Sequence, residues 1–312
     1  MIPGQRLRPH TSPDDMIRFT ARNYARIAKA AVTRRVPVYA HWGITHRCNL
    51  TCKMCGIWRY GNKKEELDLD EVQIMAERMA RIGVVQLSIG GGEPYASDIL
   101  EDAAKIFVDQ GLNLRVLTNG IPNGNGRNVV EGRVYLDRID RTIDHGVRNF
   151  SISLDSMYPA RFDYICESEG SWDSAVKTIT HIGNKLHGVK GALPTINCVV
   201  SHLNLEELPD MVRFARDVGF AISFLPVELL AEKKDGVRNW EARFIRYRPE
   251  MGVQGDPSQV SARIDKAYDT IIDMKAKGLP ILNSTPYLES SRMYLKTGRF
   301  PAEGCDAGRL SF

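Results

Sequence analysis

The feature of this sequence that most constrains its fold is a regular alternation of short apolar runs with helical patterns. Six runs have the length and composition of buried strands: Val36–Thr45, Val84–Ile89, Asn113–Thr118, Asn149–Leu154, Pro194–Val200 and Ala221–Val227. Helical patterns lie between and after them, at Asp70–Ile82, Ser97–Gln110, a segment ending at His145, Trp172–Leu186, Leu205–Val218 and Pro257–Lys277. This alternation predicts an α/β fold with parallel strands joined by right-handed crossovers. Ligands of such folds bind at the carboxyl ends of the strands, so the residues just after each strand are the functional candidates.

The composition is that of an ordinary globular protein. Of the 312 residues, 43% are hydrophobic and 26% are charged, which excludes a disordered tail, a collagen and a small disulfide scaffold. The net charge of +4 is uneven, because residues 1–35 carry a net +6 and the remaining residues sum to −2. A mildly acidic body is not expected to bind nucleic acid.

A basic amphipathic helix is predicted from Ser12 to about Arg35. We assign its apolar residues to a face that packs on the domain. These residues are Met16, Phe19, Tyr24, Ile27, Ala31 and Val32. Its basic stripe consists of Arg18, Arg22, Arg26 and Lys29. Two interpretations stay open: a helix packed on the domain with a solvated basic face, or a weak contact with an anionic membrane surface. The cysteine spacing and the lack of a secretory signal favour a cytoplasmic location.

Three cysteines follow the first predicted strand with the spacing C-x3-C-x2-C, at Cys48, Cys52 and Cys55. Three thiolates on one short loop can surround one metal centre. A [4Fe–4S] cluster usually takes four cysteines, so three would leave one iron open to a substrate or cofactor. The alternative is a structural zinc site that adds His46 or His41.

A glycine-rich segment, Gly90-Gly91-Gly92-Glu93-Pro94, follows the second predicted strand. Three consecutive glycines at this point permit unusual backbone angles and a close approach to a ligand. The alternative is a simple tight turn.

Together these two motifs resemble those of the radical S-adenosylmethionine (radical SAM) enzymes, over roughly residues 36–230. The resemblance implies a partial (β/α)6 TIM-like barrel, with an N-terminal helix and a short C-terminal extension added in this chain. It also implies a [4Fe–4S] cluster on Cys48, Cys52 and Cys55 whose open iron binds SAM. In such enzymes a one-electron donor, such as flavodoxin or ferredoxin, reduces the cluster. SAM is then cleaved to a 5′-deoxyadenosyl radical that abstracts a substrate hydrogen.

The resemblance also assigns residues around SAM. The cofactor-binding set is Gly90, Gly91, Gly92, Glu93, Thr118, Asn119, Ser153 and Asn197, and Asp155 is a catalytic residue facing the cavity. For Thr118 and Asn197 the alternative is local hydrogen bonding at a strand end. For Asp155 it is a helix N-cap. Cys166 stands where many relatives have an arginine, and is either a hydrogen donor or a buried small hydrophobe. Cys198 is predicted to belong to the core.

The last residues, from Gly304 to Phe312, resemble the opening of the auxiliary-cluster domains called SPASM or twitch. The resemblance makes Cys305 a candidate auxiliary-cluster ligand. The predicted domains are therefore the basic helix at 1–35, the radical SAM barrel at 36–280 and the start of a shortened SPASM/twitch-like extension at 281–312.

The sequence leaves the substrate open between a small molecule and a peptide. Six Lys or Arg within 231–257 favour an anionic substrate, and the alternative is a solvated loop. Two other functions remain: a peptide-modifying (RiPP maturation) radical SAM/SPASM enzyme, and a non-catalytic zinc-binding scaffold.

Overall fold

A six-stranded parallel sheet forms the centre of the fold. The computed structural model describes residues 20–33, 36–60, 66–124, 127–128, 132–227 and 257–298. The strands are β1 Tyr39–Thr45, β2 Gln86–Gly91, β3 Asn113–Thr118, β4 Asn123–Gly124, β5 Arg127–Asn128, β6 Asn149–Ser153, β7 Thr195–Val200 and β8 Ala221–Pro226. The sheet order is β1-β2-β3-β6-β7-β8, every pair is parallel, and β4 and β5 form a separate small hairpin. The predicted α/β fold class is confirmed: sequential parallel order is that of a partial (β/α)6 barrel.

Helices connect the strands and cover one face of the sheet. They are α1 Ala21–Thr33, α2 Leu69–Ile82, α3 Leu100–Asp109, α4 Gly132–Asp144, α5 Pro159–Cys166, α6 Ser171–Leu186, α7 Leu208–Asp217, α8 Pro257–Ala276 and α9 Thr285–Thr297. Local signals set their ends. Asp68 and Glu71 form a capping box at the start of α2, and Gly83 ends that helix with a positive φ of 110°. Short 3-10 turns occupy Ile57–Tyr60, Pro94–Ala96 and Leu205–Glu207. Among the described residues, none of the helices has the length and apolar character needed to cross a membrane.

The two faces of the sheet differ in chemistry. The outer face packs on the helices and is apolar, with Ile89, Val116, Phe150, Ile196 and Phe224 fully buried in one continuous core. Burying each such side chain contributes roughly 1.5–3 kcal/mol, so this face holds the fold together. The residues that alternate with them line the inner, concave face, and several of those stay partly exposed: His41, Gly43, Arg115, Leu117, Ser153, Asn197 and Ser223. At these positions the inner face is accessible, whereas Ser88, Asn149, Ser151 and Thr195 on the same face are buried.

The outer edge of β8 is covered by the segment 280–283. Ile222 N donates to Pro280 O at 2.8 Å, and Leu282 N donates to Ile222 O at 2.9 Å. Asn283 continues this pairing with its side chain: its Oδ1 accepts from Phe224 N at 2.7 Å, and its Nδ2 donates to Phe224 O at 3.0 Å. The outward-facing backbone groups of Ile222 and Phe224 are thus satisfied without another full strand.

Two helices were not expected from the sequence pattern. α5 and α9 each have a proline in the first turn, Pro159 and Pro286, which is compatible with a helix start. α9 also begins after a Ser284 N-cap whose side chain accepts from Tyr287 N. α9 lies against α8 and β8, and residues 299–312, including Cys305, lie outside the described residues.

The faces of α1 differ from the expected assignment. Its buried residues are Asn23 and Ala30, whereas Tyr24 and Val32 are 57% and 86% exposed. Arg26, expected in a solvated stripe, donates from Nη2 to Ala80 O at 2.8 Å. The helix packs through a narrow stripe that includes Asn23 and Ala30, which are seven positions apart. The positions of the apolar residues in the sequence do not reveal this stripe. Residues 12–19 and 34–35 of the predicted helix are outside the described residues.

Candidate active site

The cysteine loop follows β1 at the carboxyl edge of the sheet, with its three thiols partly exposed. Leu50 N donates to Cys48 Sγ at 3.5 Å, and Cys55 N donates to Cys52 O at 3.0 Å. Burial raises the pKa of the Cys48 thiol to about 12. A thiolate at this position therefore needs a compensating cation, which an iron centre supplies.

The glycine segment lies directly on the backbone of the cysteine loop. Gly92 N donates to Thr45 O at 2.7 Å, and Glu93 N donates to Arg47 O at 2.9 Å. Gly91 has a φ of +118°, and a Cβ there would lie 2.2 Å from Thr45 O. A Cβ on Gly92 would lie 2.1 Å from Arg47 O. Only glycine fits at these two positions, because any side chain would push the two loops apart.

Glu93 anchors the glycine segment to the end of β3. Its carboxylate is completely buried and accepts from Thr118 Oγ1 at 2.7 Å, Asn119 N at 2.8 Å and Tyr95 N at 3.2 Å. Burial raises the pKa of Glu93 to about 7. Both of its carboxylate oxygens are bonded to protein groups, so Glu93 positions the loop. Thr118 is likewise buried, and its Oγ1 also accepts from Gly120 N at 3.1 Å, so its cofactor-binding role stays a prediction.

Asn119 joins the end of β3 to the cysteine loop. Its Nδ2 donates to Asn49 Oδ1 at 2.9 Å, and its Oδ1 accepts from Ile121 N at 2.8 Å. Asn49 in turn donates from Nδ2 to Ile121 O at 2.7 Å. Asn49 was not among the residues predicted from the sequence, where its position between two candidate cluster ligands was the available signal.

Ser153 and Asn197 lie side by side on the inner face. They are partners in the β6–β7 register, and both are partly exposed. Ser223 is the next partner along the same row, on β8. These side chains border the open cavity, where a polar cofactor can reach them.

Asp155 is buried between the ends of β6 and β7. It is 3% exposed, and its Oδ1 accepts from Val199 N at 2.7 Å. Burial raises the pKa of Asp155 to about 7. The alternative of a helix cap is wrong, because α5 begins four residues later after a Tyr158 N-cap. Its predicted catalytic role stays a prediction.

Helix α5 contacts the cysteine loop. Lys53 N donates to Ile165 O at 2.9 Å, and Lys53 Nζ forms an ion pair with Glu167 at 2.7 Å. The buried thiol of Cys166 lies beside Cys52, and this contact together with burial raises the pKa of Cys166. Cys198 is fully buried beside Met211, so its core assignment is confirmed.

The residues present fit an iron–sulfur cluster with SAM. In the described part of the chain, no three His, Cys, Asp or Glu side chains converge on one metal-ion position. A cluster does not require such convergence, because each thiolate binds a different iron. Three partly exposed soft donors on one loop, beside a glycine segment and polar inner-face residues, match the needs of both groups.

Comparison with known proteins agrees with this site. The profile described as the Radical SAM superfamily matches residues 42–215, more than half of the chain. The chain belongs to the radical SAM superfamily. Membership of this superfamily makes it an enzyme whose cofactors are a [4Fe–4S] cluster and SAM.

Two curated relatives share part of the chain. The chain is 30% identical over 199 residues to the mitochondrial GTP 3′,8-cyclase of Arabidopsis thaliana, covering 61% of this chain and 46% of that protein. It is 26% identical over 206 residues to the probable GTP 3′,8-cyclase of Methanocaldococcus jannaschii, covering 62% and 60%. The matched region thus spans about half the length of these relatives.

Solved structures share the fold. Streptococcus suis SuiB bound to S-adenosylmethionine has a TM-score of 0.58 at 13% identity, covering 92% of this chain and 61% of that chain. The structure of anSMEcpe with bound AdoMet has a TM-score of 0.53 at 13% identity, covering 85% and 67%. At this identity the likeness concerns the fold alone.

Proposed function

We propose that this enzyme cleaves SAM reductively and uses the resulting 5′-deoxyadenosyl radical to abstract hydrogen from a substrate in the barrel cavity. The observation that carries the proposal is a pair of backbone hydrogen bonds, Thr45–Gly92 and Arg47–Glu93. This pair, called here the backbone joint, connects the cysteine loop to the glycine segment. This joint holds the three candidate cluster ligands at the mouth of the cavity. The cofactors supply the radical chemistry, and the chain supplies their position.

The chain's residues divide this work. Cys48, Cys52 and Cys55 hold the cluster, and Ser153 and Asn197 border the space in which SAM binds. Glu93, Asn119 and Asp155 fix the strand ends against one another through buried hydrogen bonds. Strand ends that are fixed in this way keep the reacting groups aligned, which is the main contribution of a protein to such a reaction.

A one-electron donor such as flavodoxin or ferredoxin completes the proposal, and the cytoplasm remains the proposed location. All five cysteines within the described residues are free thiols, which suits a reducing compartment. The basic stretch 231–257, on which the expectation of an anionic substrate rests, falls largely in 228–256, outside the described residues.

The test is anaerobic reconstitution with iron and sulfide, addition of dithionite and SAM, and chromatography for 5′-deoxyadenosine. The wild type is expected to produce it, and Cys52→Ala is expected to lose both cluster and product, because two thiolates cannot hold the cluster. Cys198→Ala is the matched control, since it removes a buried thiol away from the loop. Full product from Cys52→Ala would reject the proposal.

A second candidate concerns the substrate. The curated relatives are named GTP 3′,8-cyclases, so a purine nucleoside triphosphate is a candidate substrate here. Including GTP in the same assay and following its loss by anion-exchange chromatography tests this directly. The peptide alternative has support only from the shared fold.

A further inference from the structure

Arg115 is the only charged residue in the six strands of the central sheet. The other strand residues are apolar, neutral polar or histidine. Arg115 pairs in register with Ser88 on β2 and Asn149 on β6, and its neighbours Leu114 and Val116 are buried in the core against the helices. Arg115 therefore belongs to the inner face of the barrel, where it is partly exposed.

The guanidinium of Arg115 has no compensating acid among the described residues. Its Nε is buried and has no hydrogen-bond partner there. Burial lowers the pKa of Arg115, and the only charge interaction that opposes this effect comes from the phenol of Tyr39. The buried carboxylates at the strand ends, Glu93 and Asp155, are bonded to other groups. A partly buried arginine without an anion costs folding free energy, so its presence calls for a ligand.

A second unpartnered polar atom lies on the neighbouring strand. Ser151 is 2% exposed, and its Oγ has no hydrogen-bond partner among the described residues. Ser151 pairs with Leu117, two residues beyond Arg115, so both side chains point to the same face. The spacing and rise of strands place their Cα atoms roughly 8 Å apart, within reach of a long arginine side chain. A hydroxyl and a guanidinium that have no partner among the described residues are thus within reach of each other on this face.

We propose that Arg115 and Ser151 form a subsite inside the barrel that binds an oxyanion of the substrate, either a carboxylate or a phosphate. A guanidinium presents a planar fork of donors that matches both groups, and a serine hydroxyl adds one more donor. The subsite rests on the proposed function, because it assumes that the substrate enters the cavity below SAM.

The position of the subsite constrains the substrate. Arg115 precedes Thr118 by three residues, so its backbone lies roughly 10 Å below the strand ends that carry the cofactor residues. A substrate held there enters with its anionic end first and presents a more distant carbon to the cofactor. The subsite therefore selects small molecules with a terminal carboxylate or phosphate.

The test uses the reconstituted enzyme and measures its melting temperature, Tm, in sodium phosphate, sodium acetate and sodium chloride at equal ionic strength. Phosphate or acetate is expected to raise the Tm of the wild type by about 2 °C or more above chloride at saturation. Arg115→Met and Ser151→Ala are expected to lose most of this rise. Arg213→Met removes an exposed arginine on α7 and is expected to keep it. A response to acetate alone identifies a carboxylate, and a response to phosphate alone identifies a phosphate.

The subsite is rejected if neither anion exceeds chloride in the wild type, or if Arg115→Met responds as the wild type does. Production of 5′-deoxyadenosine by the same wild-type sample is measured in parallel. An anion effect without this product would reject the proposed function while keeping an anion site, and the reverse result would reject the subsite alone.

Discussion

Asn119 Nδ2 donates to Asn49 Oδ1 at 2.9 Å, and this bond ties the end of the third strand to the loop that carries the cluster cysteines. The two residues are seventy positions apart in the chain. Asn49 lies next to Cys48, so the bond fixes the backbone from which that thiol projects. We therefore expect cluster retention to depend on this contact between two uncharged side chains.

Asn49→Ala is expected to destabilise the protein by about 1–3 kcal/mol, because it breaks one buried and one partly buried hydrogen bond and leaves Ile121 O without this donor. Urea unfolding measures this change, and iron content after gel filtration is expected to fall with it. Asn184→Ala on the exposed side of α6 is the control, expected within about 0.5 kcal/mol of wild type. Equal stability of the two variants would contradict the proposed tie.

Gly92→Ala is expected to lose about 1–3 kcal/mol of stability and most of the bound iron, because the added Cβ meets the Arg47 carbonyl. Thermal unfolding and iron analysis report both effects. Gly43→Ala provides the comparison: its Cβ would make an ordinary 3.7 Å contact with Gly91 Cα. If Gly92→Ala retained as much iron as Gly43→Ala, the close contact between the glycine segment and the cysteine loop would not be needed for iron binding.

Asp155 is expected to make stability depend on pH. Burial raises its pKa to about 7, so the folded state favours the protonated carboxyl. Its contribution to stability is full below the unfolded pKa near 4 and is lost as pH rises through about 7. Relative to Asp155→Asn, the wild type is expected to lose roughly 2–3 kcal/mol between pH 5 and pH 8. Urea unfolding of both proteins across this range checks the sign, and parallel pH curves would refute the buried placement.

Cys305→Ala is expected to leave the barrel cluster unchanged. If the three cysteines of the loop hold one cluster as proposed, iron analysis should give about four irons per chain in both proteins. Cys305 lies outside the described residues, and the expectation rests on the sequence motif. A loss of iron in this variant would show that Cys305 takes part in holding iron.

The strands and most helices were predictable, because each follows from a local pattern. Apolar runs predicted all six strands of the sheet. The three consecutive glycines predicted that another group approaches their backbone closely. The partners of that approach were not predictable, since the contact of Gly92 with Arg47 O joins distant segments. The same reason applies to Glu93 and Asp155, whose burial depends on how the strand ends meet. The burial of Arg115 and Ser151 also follows only from the register of neighbouring strands.

The segment 280–283 also governs how the molecule behaves toward its own copies. An uncovered edge strand can pair with another chain and start aggregation. Here the side-chain amide of Asn283 completes the pairing of Phe224, so the ladder stops after a single short bridge between Ile222 and Ile281. The outward backbone groups of Ile222 and Phe224 are therefore already occupied, which disfavours edge-to-edge association through this part of β8. The partial barrel can remain unclosed without offering these groups to a second copy of the chain.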